Sequence, residues 1–326
     1  MSKPTRYPRL NLRSKNEIAK RISSSVLTQT DTLKLLNDVL RDFDKHWYDS
    51  KESKPEKGKF VRSAAKSIKL KTLLGLINEK ILAPHDRLVP SFIFGGLSER
   101  NSIKAATNLL GKKKGRVLLK LDIQTFFEQV GEHRVFNLFH KQCGCSAEAS
   151  RILATLCCVP EGPKGSDSPK RILARGFATS PRLAVWCNAR TFQRLEWLMK
   201  KKLKGHDPAI SVYVDDIGIT ASRVSLEKME AFKSEAIVLL EGQSLPPHKV
   251  GPKLVIRKFS DSAEHLGVRL GKRKLSLGRE AKFRATEVKK LLKATSEPIA
   301  KRELLRRYRA HQRYKKNVRD ASSQGL

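Results

Sequence analysis

Two adjacent carboxylates, Asp215 and Asp216, lie in the middle of an apolar, β-branched stretch of the chain. Residues 210–212 and 217–219 flank the tetrad Tyr213-Val214-Asp215-Asp216, and both flanks have strand-like composition. Burying two neighbouring charges costs several kcal/mol unless a partner compensates them. We therefore expect the strand to turn here and the carboxylates to meet a cation. The alternative is an ordinary hairpin with an acidic turn, since Asp and Gly are favoured in turns.

A second acidic position strengthens the metal-site interpretation. The sequence Val-Leu-Leu-Lys-Leu at 117–121 predicts a short buried strand that ends at Asp122. One carboxylate at a strand end and two in a hairpin turn suit a two-metal phosphoryl-transfer site, whose ions lie roughly 4 Å apart. Such ions prefer hard oxygen ligands. Asp122, Asp215 and Asp216 could bridge them.

Three blocks of the sequence occur in a recognisable order: Leu121-Asp122-Ile123-Gln124-Thr125-Phe126-Phe127, then Gly176-Phe177-Ala178-Thr179-Ser180-Pro181, then Tyr213-Val214-Asp215-Asp216. Together they resemble the palm motifs of prokaryotic reverse transcriptases of the retron and defence-associated type. His265-Leu266-Gly267-Val268 is similar to the primer-grip segment of that family. The resemblance covers roughly residues 58 to 275.

The resemblance implies roles for individual residues. Asp122, Asp215 and Asp216 would be the catalytic residues and metal ligands, with Mg²⁺ as the ion, and Mn²⁺ can substitute. The residues implied to contact the incoming nucleotide are Arg62, Lys66, Phe127, Gly176 and Lys249. Among these, Arg62 or Lys66 would hold the triphosphate, Phe127 would exclude a ribose 2′-hydroxyl, and Lys249 would lie near the leaving pyrophosphate. Ser180, His265 and Gly267 would contact nucleic acid.

The chain also departs from the family pattern. Retron enzymes carry Asn-Ala-x-x-His shortly after the position of Ser102-Ile103, and Val-Thr-Gly where this chain has His265-Leu266-Gly267. Both signatures are missing, which favours a defence-associated or abortive-infection type. Arg175 stands where many relatives have Gln, so it would bear on how the template base and the nucleotide are positioned.

The charge balance favours a polyanionic partner. Lys and Arg number 67 against 32 Asp and Glu, a net charge of +35, and such a field attracts nucleic acid. No stretch approaches the roughly 18 apolar residues of a membrane span, and Met1–Pro4 begins no secretory signal. Five cysteines without zinc-type spacing predict reduced thiols in the bacterial cytoplasm. The alternative is a metal cluster of Cys143, Cys145, Cys157 and Cys158.

The predicted fold class is α+β: a right-hand polymerase with fingers, a palm of antiparallel sheet plus helices, and a helical thumb. Residues 1–56 would be a basic, helical extension, 57–275 the fingers and palm, and 276–326 a basic helical thumb or tail. Helices are predicted over 67–83, 132–158 and 181–203, the last with Ser180 as its cap. The thumb would bind nucleic acid through exposed arginines, namely Arg306, Arg307, Arg309 and Arg313.

The function predicted from these features is RNA-directed DNA synthesis. The enzyme would add dNTPs to a 3′-hydroxyl and make cDNA on an RNA template, a cognate non-coding RNA in antiviral defence. One alternative is a template-independent or protein-primed DNA polymerase, and another is a non-catalytic RNA-binding scaffold. The sequence leaves open whether an effector protein or a second copy of the chain takes part.

Overall fold

The computed structural model describes residues 5–272 and 274–324, so the expectation about Met1–Pro4 lies outside the described residues. The α-helices are α1 Lys15–Ile22, α2 Gln29–Arg41, α3 Ile68–Leu76, α4 Ser102–Asn108, α5 Glu132–Asn137, α6 Ala147–Cys157, α7 Ser180–Lys202, α8 Leu226–Glu241, α9 Arg279–Ala294 and α10 Pro298–Gln324. The strands are β1 Tyr48–Asp49, β2 Arg62–Ser63, β3 Arg116–Asp122, β4 Cys158–Pro160, β5 Arg171–Leu173, β6 Ala209–Tyr213, β7 Asp216–Ser222, β8 Val255–Lys258, β9 Glu264–His265, β10 Val268–Leu270 and β11 Leu275–Leu277. This mixture confirms the predicted α+β class.

Two compact units divide the chain, and neither is continuous in sequence. The first comprises Met1–Ser91, Gly95–Glu99 and Thr125–Gln193, and the second comprises Phe92–Phe94, Arg100–Gln124 and Arg194–Leu326. Helix α7 supplies residues to both. The division into an extension, fingers with palm, and thumb stays a prediction.

A four-stranded antiparallel sheet, ordered β6-β7-β3-β8, forms the centre of the second unit. Its inner strands, β3 and β7, are buried over nearly their whole length. In β3 this burial accompanies the apolar run at 117–119, whereas β7 buries small and polar residues such as Gly218 and Thr220 between its isoleucines. Helix α8 packs against β3 and β8. The helix side chains that face inward are Met229, Phe232, Ala236 and Leu240, at the spacing of one helix face.

A three-stranded meander, β9-β10-β11, and helix α10 complete the second unit. Val318 of α10 joins a buried cluster with Ile103, Leu118, Val268 and Leu270. Leu304, Leu305 and Tyr308, about three to four turns earlier in the same helix, are only half-buried. Helix α9 has no buried residue at all.

The first unit contains the largest departures from the predicted helices. The helix predicted over 132–158 is wrong as a single element, because the chain ends α5 and a following wide turn near Gln142 and starts α6 at Ala147. Gly144 between them has a positive φ of 72°, and the Ser146 side chain accepts a hydrogen bond from the Ala149 amide as an N-cap. Ser180 opens α7 instead of capping it, and its hydroxyl donates to the Ala174 carbonyl at 2.6 Å.

All five cysteines are free thiols. Burial raises the pKa of Cys157 and of Cys187 to about 12, so these thiols stay protonated. Across residues 5–272 and 274–324, no helix has both the length and the apolar composition that crossing a bilayer requires.

His265 makes the stability of the second unit depend on pH. Burial lowers the pKa of its ring from 6.5 to about 3, with a smaller contribution from Lys120. The folded protein therefore keeps the ring neutral, whereas the unfolded chain protonates it below about pH 6.5. Because the unfolded state then binds more protons, the free energy of unfolding decreases as the pH falls.

We expect this single group to cost about 2 kcal/mol between pH 7 and pH 5, at about 1.36 kcal/mol per unit below pH 6.5. Urea denaturation at the two pH values measures the loss. A His265→Leu protein should show a shallower pH dependence than the wild type. Equal pH dependence in both proteins would mean that other groups are responsible.

Candidate active site

The β6–β7 hairpin presents the two adjacent carboxylates at a two-residue turn. Tyr213 pairs with Asp216 across the hairpin, which leaves Val214 and Asp215 as the turn residues. Val214 has a φ of 60°, a conformation that glycine adopts freely and a β-branched residue does not. Such strain costs about 1–3 kcal/mol and is concentrated at functional sites. The strain at Val214 is therefore an observation on which a functional role for this turn can be proposed.

Asp122 meets this turn directly. It is the last residue of β3 and lies opposite Asp216 in the antiparallel register, where directly opposed Cα atoms are about 4.5–5.5 Å apart. The Ile123 amide donates to the Asp215 carbonyl at 2.9 Å and so continues the pairing past the strand ends. Carboxylates that are more than 90 residues apart in the chain are thus cross-strand neighbours.

Lysine ammonium groups face both carboxylates. Lys253 Nζ lies 2.7 Å from Asp122 Oδ1, and Lys120 Nζ lies 3.3 Å from Asp216 Oδ1. The Asp216 Oδ1 atom is buried, and the Lys120 ammonium is its ion-pair partner. Burial raises the pKa of Asp216, and the negative charge of Asp122 raises it further, while Lys120 lowers it.

These features fit a divalent cation. A buried carboxylate oxygen next to a second carboxylate is a position where a bound cation would relieve the desolvation of the charge and the repulsion between the two groups. Among residues 5–272 and 274–324, no group of three or more His, Cys, Asp or Glu is arranged to hold a metal. Asp122 and Asp216 form a cross-strand pair, and this suits Mg²⁺, which is usually bound through one or two carboxylates together with substrate phosphates and water. The same finding gives no support to the cysteine metal cluster.

The sequence interpretation missed the basic residues at this site. Lys249 was the lysine assigned to the leaving group, but its side chain is 70% exposed and pairs with Glu241 at 3.1 Å. Lys253, four residues later, reaches Asp122 instead. His248 also comes within 3.3 Å of the same carboxylate oxygen, and its amide donates to the Asp122 carbonyl at 2.9 Å. Their positions in the sequence could not show which lysine reaches the carboxylate, because both lie in an irregular loop whose conformation sets the direction of each side chain.

Arg62, the residue predicted to bind triphosphate, lies in the first unit and is 2% exposed. Its guanidinium forms an ion pair with Asp49, donates to the carbonyls of Pro160 and Gly162, and stacks over the Trp47 ring at 5.1 Å. It also lines a cavity of about 110 Å³. Lys66 is exposed, with its ammonium 4.9 Å from the centre of the Tyr48 ring.

Arg175, Phe127 and Glu128 form one assembly beside that cavity. Arg175 binds Glu128 through two hydrogen bonds of 3.0 and 2.8 Å, and its guanidinium lies 5.1 Å from the centre of the Phe127 ring. Phe126 is fully buried, while Phe127 is half-buried. Of the two phenylalanines, Phe126 is therefore the one that packs in the core.

Gly176 lets two backbone segments come together. Its φ is 103°, and a Cβ atom here would collide with the carbonyl oxygen of Arg62. The Arg62 amide donates to the Arg175 carbonyl at 2.6 Å. Gly176 thus supports the position of Arg62. The motif had predicted only that Gly176 contacts the incoming nucleotide.

The remaining predicted contacts divide into buried and exposed residues. Ser180 and His265 are buried, and a buried side chain can position a neighbour but leaves no face for a nucleic acid strand. Gly267, with a φ of 77°, forms the β9–β10 turn together with Leu266. The four arginines of α10 predicted to bind nucleic acid are exposed: Arg306, Arg307, Arg309 and Arg313. Arg306 and Arg307 pair with Glu303.

Comparison with known proteins supports the same chemistry at a coarse level. No protein-family model matches the chain. Over 261 residues it is 24% identical to the Retron Ec86 reverse transcriptase of Escherichia coli, an alignment that covers 79% of this chain and 73% of that protein. The chain is thus similar to a reverse transcriptase, which suggests nucleotidyl transfer.

Proposed function

We propose that this protein is an RNA-directed DNA polymerase whose catalytic carboxylates are Asp122, Asp215 and Asp216. The observation that carries the proposal is the register pairing of Asp122 with Asp216 at the strained 213–216 turn. The similarity to a reverse transcriptase supports the class of reaction. In this proposal the template is RNA, the substrates are dNTPs and the product is cDNA.

The carboxylates of the site would act by holding a divalent cation in a fixed position. Asp122 and Asp216 would hold Mg²⁺, which supplies charge neutralisation at the reacting phosphate and activation of the attacking 3′-hydroxyl. The hairpin and β3 fix both carboxylates on paired strands, and rigid strand positions limit the reorganisation needed during reaction. The Lys253 ammonium is close enough to Asp122 to interact with the negative charge of that carboxylate.

Phe127 would be the residue that excludes a ribose 2′-hydroxyl. Phe127 contacts the buried Phe126 ring, at 5.8 Å between ring centres, and the Arg175 guanidinium, at 5.1 Å from the Phe127 ring centre. A ring fixed in this way can exclude a 2′-hydroxyl by its volume. Asp49 already neutralises the charge of Arg62, so a triphosphate would have to compete with Asp49 for the guanidinium. We therefore assign Arg62 to holding the 160–162 backbone.

Product sequencing tests the proposal against the template-independent and protein-primed alternatives. Purified protein is incubated with Mg²⁺, the four dNTPs, and a heteropolymeric RNA annealed to a DNA primer. The proposal predicts DNA complementary to the RNA and attached to the primer. Homopolymeric or biased DNA would identify an untemplated enzyme, DNA linked to the protein would identify protein priming, and an absence of synthesis would leave the scaffold interpretation.

Lys253→Met should strengthen binding of divalent cations in the absence of substrate. The ammonium 2.7 Å from Asp122 competes with a cation for the carboxylate, and an ion pair with this exposure is worth up to about 1 kcal/mol. We therefore expect the dissociation constant for Mn²⁺ to fall by up to about fivefold, equivalent to that energy. Titration followed by the electron paramagnetic resonance of free Mn²⁺ measures it.

Lys249→Met is the matched control for this prediction. It removes the same charge four residues away, from a side chain that is 70% exposed and pairs with Glu241, so the Mn²⁺ affinity should not change. Equal changes in the two variants would indicate a general effect of net charge, and weaker binding by Lys253→Met would contradict the competition.

A further inference from the structure

A second concave surface lies in the second unit, away from the carboxylates. It is a pocket of about 430 Å³ lined by four separate segments: the loop before β3 with the start of that strand, Val224 after β7, the end of β8, and strand β10 with the turn that follows it. Its exposed cations are Lys113, Lys114, Lys258, Arg269, Lys272 and Lys274. We call this surface the basic pocket.

Among the described residues, none of the six exposed cations of the basic pocket forms an ion pair with an Asp or Glu. The described residues that line it include no Asp or Glu. Lys258 slightly lowers the pKa of Glu227, which is not a lining residue, as the smallest of several causes. Gathering like charges in a concavity raises the electrostatic free energy, and a bound polyanion would lower it.

The floor of the pocket is built from the core. Leu110 and Phe259 line it and are 7% and 8% exposed, and both belong to the buried cluster that includes Leu118. Arg116 also lines it but is already paired with Asp207 at 2.7 Å. Among the described lining residues Phe259 is the aromatic one, and its burial leaves no exposed ring on which a base could stack.

Strand β3 separates this pocket from the carboxylates. Arg116 at one end of the strand lines the pocket, and Asp122 at the other end belongs to the candidate active site. Six residue steps of about 3.3 Å place the two ends about 20 Å apart. A ligand in the pocket is therefore distinct from one that reacts at Asp122 and Asp216.

We propose that the basic pocket binds the phosphate backbone of a folded RNA, at a site separate from the template and primer at the carboxylates. Cations without exposed aromatic rings contact phosphates rather than bases. A bilayer is too flat to enter a concavity in which the cations surround an inner floor. The identification of the polyanion as RNA rests on the proposed function, whereas the pocket and its charge do not.

Salt-dependent RNA binding tests this proposal. The pocket variant is Lys113→Gln/Lys258→Gln/Lys272→Gln, which takes one cation from each of three segments. The control variant is Lys20→Gln/Lys71→Gln/Lys141→Gln, three exposed lysines of the first unit. The probe is a fluorescein-labelled RNA hairpin, and the dissociation constant is measured by fluorescence anisotropy over a range of KCl concentrations.

Each lost phosphate contact reduces the slope of log K against log salt by about 0.9, so the pocket variant should lose about 3 and the control variant almost none. Equal slopes for the two variants, or no change in either, would overturn the proposal. Lys-to-Arg replacement at the same three positions should restore the wild-type slope, which separates charge loss from misfolding. Primer extension on a pre-annealed template and primer should be the same in the pocket variant and the wild type, so failure of the polymerase and failure of the pocket are distinguishable.

Discussion

Asp216→Asn is expected to reduce dNTP incorporation by about 10³-fold or more, the scale of loss when a preorganised charge-stabilising group is removed from a reacting centre. Asparagine keeps the shape of the side chain and removes the charge that faces Asp122 across the paired strands. Single-nucleotide primer extension with Mg²⁺ measures the rate. Binding of template and primer should persist, because a carboxylate makes no favourable contact with phosphate.

The fold should tolerate this change. Burial raises the pKa of Asp216, which means that the folded protein disfavours the charge, so the free energy of unfolding should stay the same or increase in the Asn protein. Glu230→Gln, on an exposed position of α8, is the control and should keep wild-type activity. An Asp216→Asn protein that incorporates nucleotides at the wild-type rate would refute the site.

Arg182→Met should destabilise the first unit by about 3–5 kcal/mol, the usual cost of removing one member of a buried ion pair and leaving the charge of the other uncompensated. Arg182 donates to both carboxylate oxygens of Asp86, at 2.8 and 2.9 Å, and their side chains are only 7% and 10% exposed. Urea denaturation gives the free energy of unfolding.

A second substitution identifies the cause of that loss. Arg182→Met/Asp86→Asn removes the buried charge but keeps an oxygen that can accept the hydrogen bond from the Ser98 amide, 2.7 Å in the wild type. The double variant should recover at least about 2 kcal/mol relative to Arg182→Met. If it were no more stable, the loss would come from packing around the arginine stem rather than from the charge.

The parts of the site that could be predicted are those with a local signal. The apolar run before Asp122 and the β-branched flanks of the 213–216 turn predicted three strands, β3, β6 and β7, and a strand end next to a hairpin turn is a simple geometry to anticipate. The register that places Asp122 opposite Asp216 is consistent with that pattern, although their catalytic role is a proposal.

The parts that could not be predicted depend on long-range packing. Lys249 and Lys253 have the same chemistry and differ only in where an irregular loop points them, toward Glu241 or toward Asp122. The sequence predicted that Arg62 would bind phosphate. Its actual partners, Asp49 and the 160–162 carbonyls, come together with it only through the tertiary fold. The break near Gly144 was missed because the apolar periodicity continues on both sides of it.

Anomalous diffraction from Mn²⁺ tests the central claim most directly. Crystals of the protein with an RNA template, a DNA primer and a non-hydrolysable dNTP are soaked in Mn²⁺ and measured at the manganese edge. We predict anomalous peaks within coordination distance of both Asp122 and Asp216, at the end of β3 and the 213–216 turn. A map with the nucleotide ordered and no manganese at these carboxylates would contradict the account.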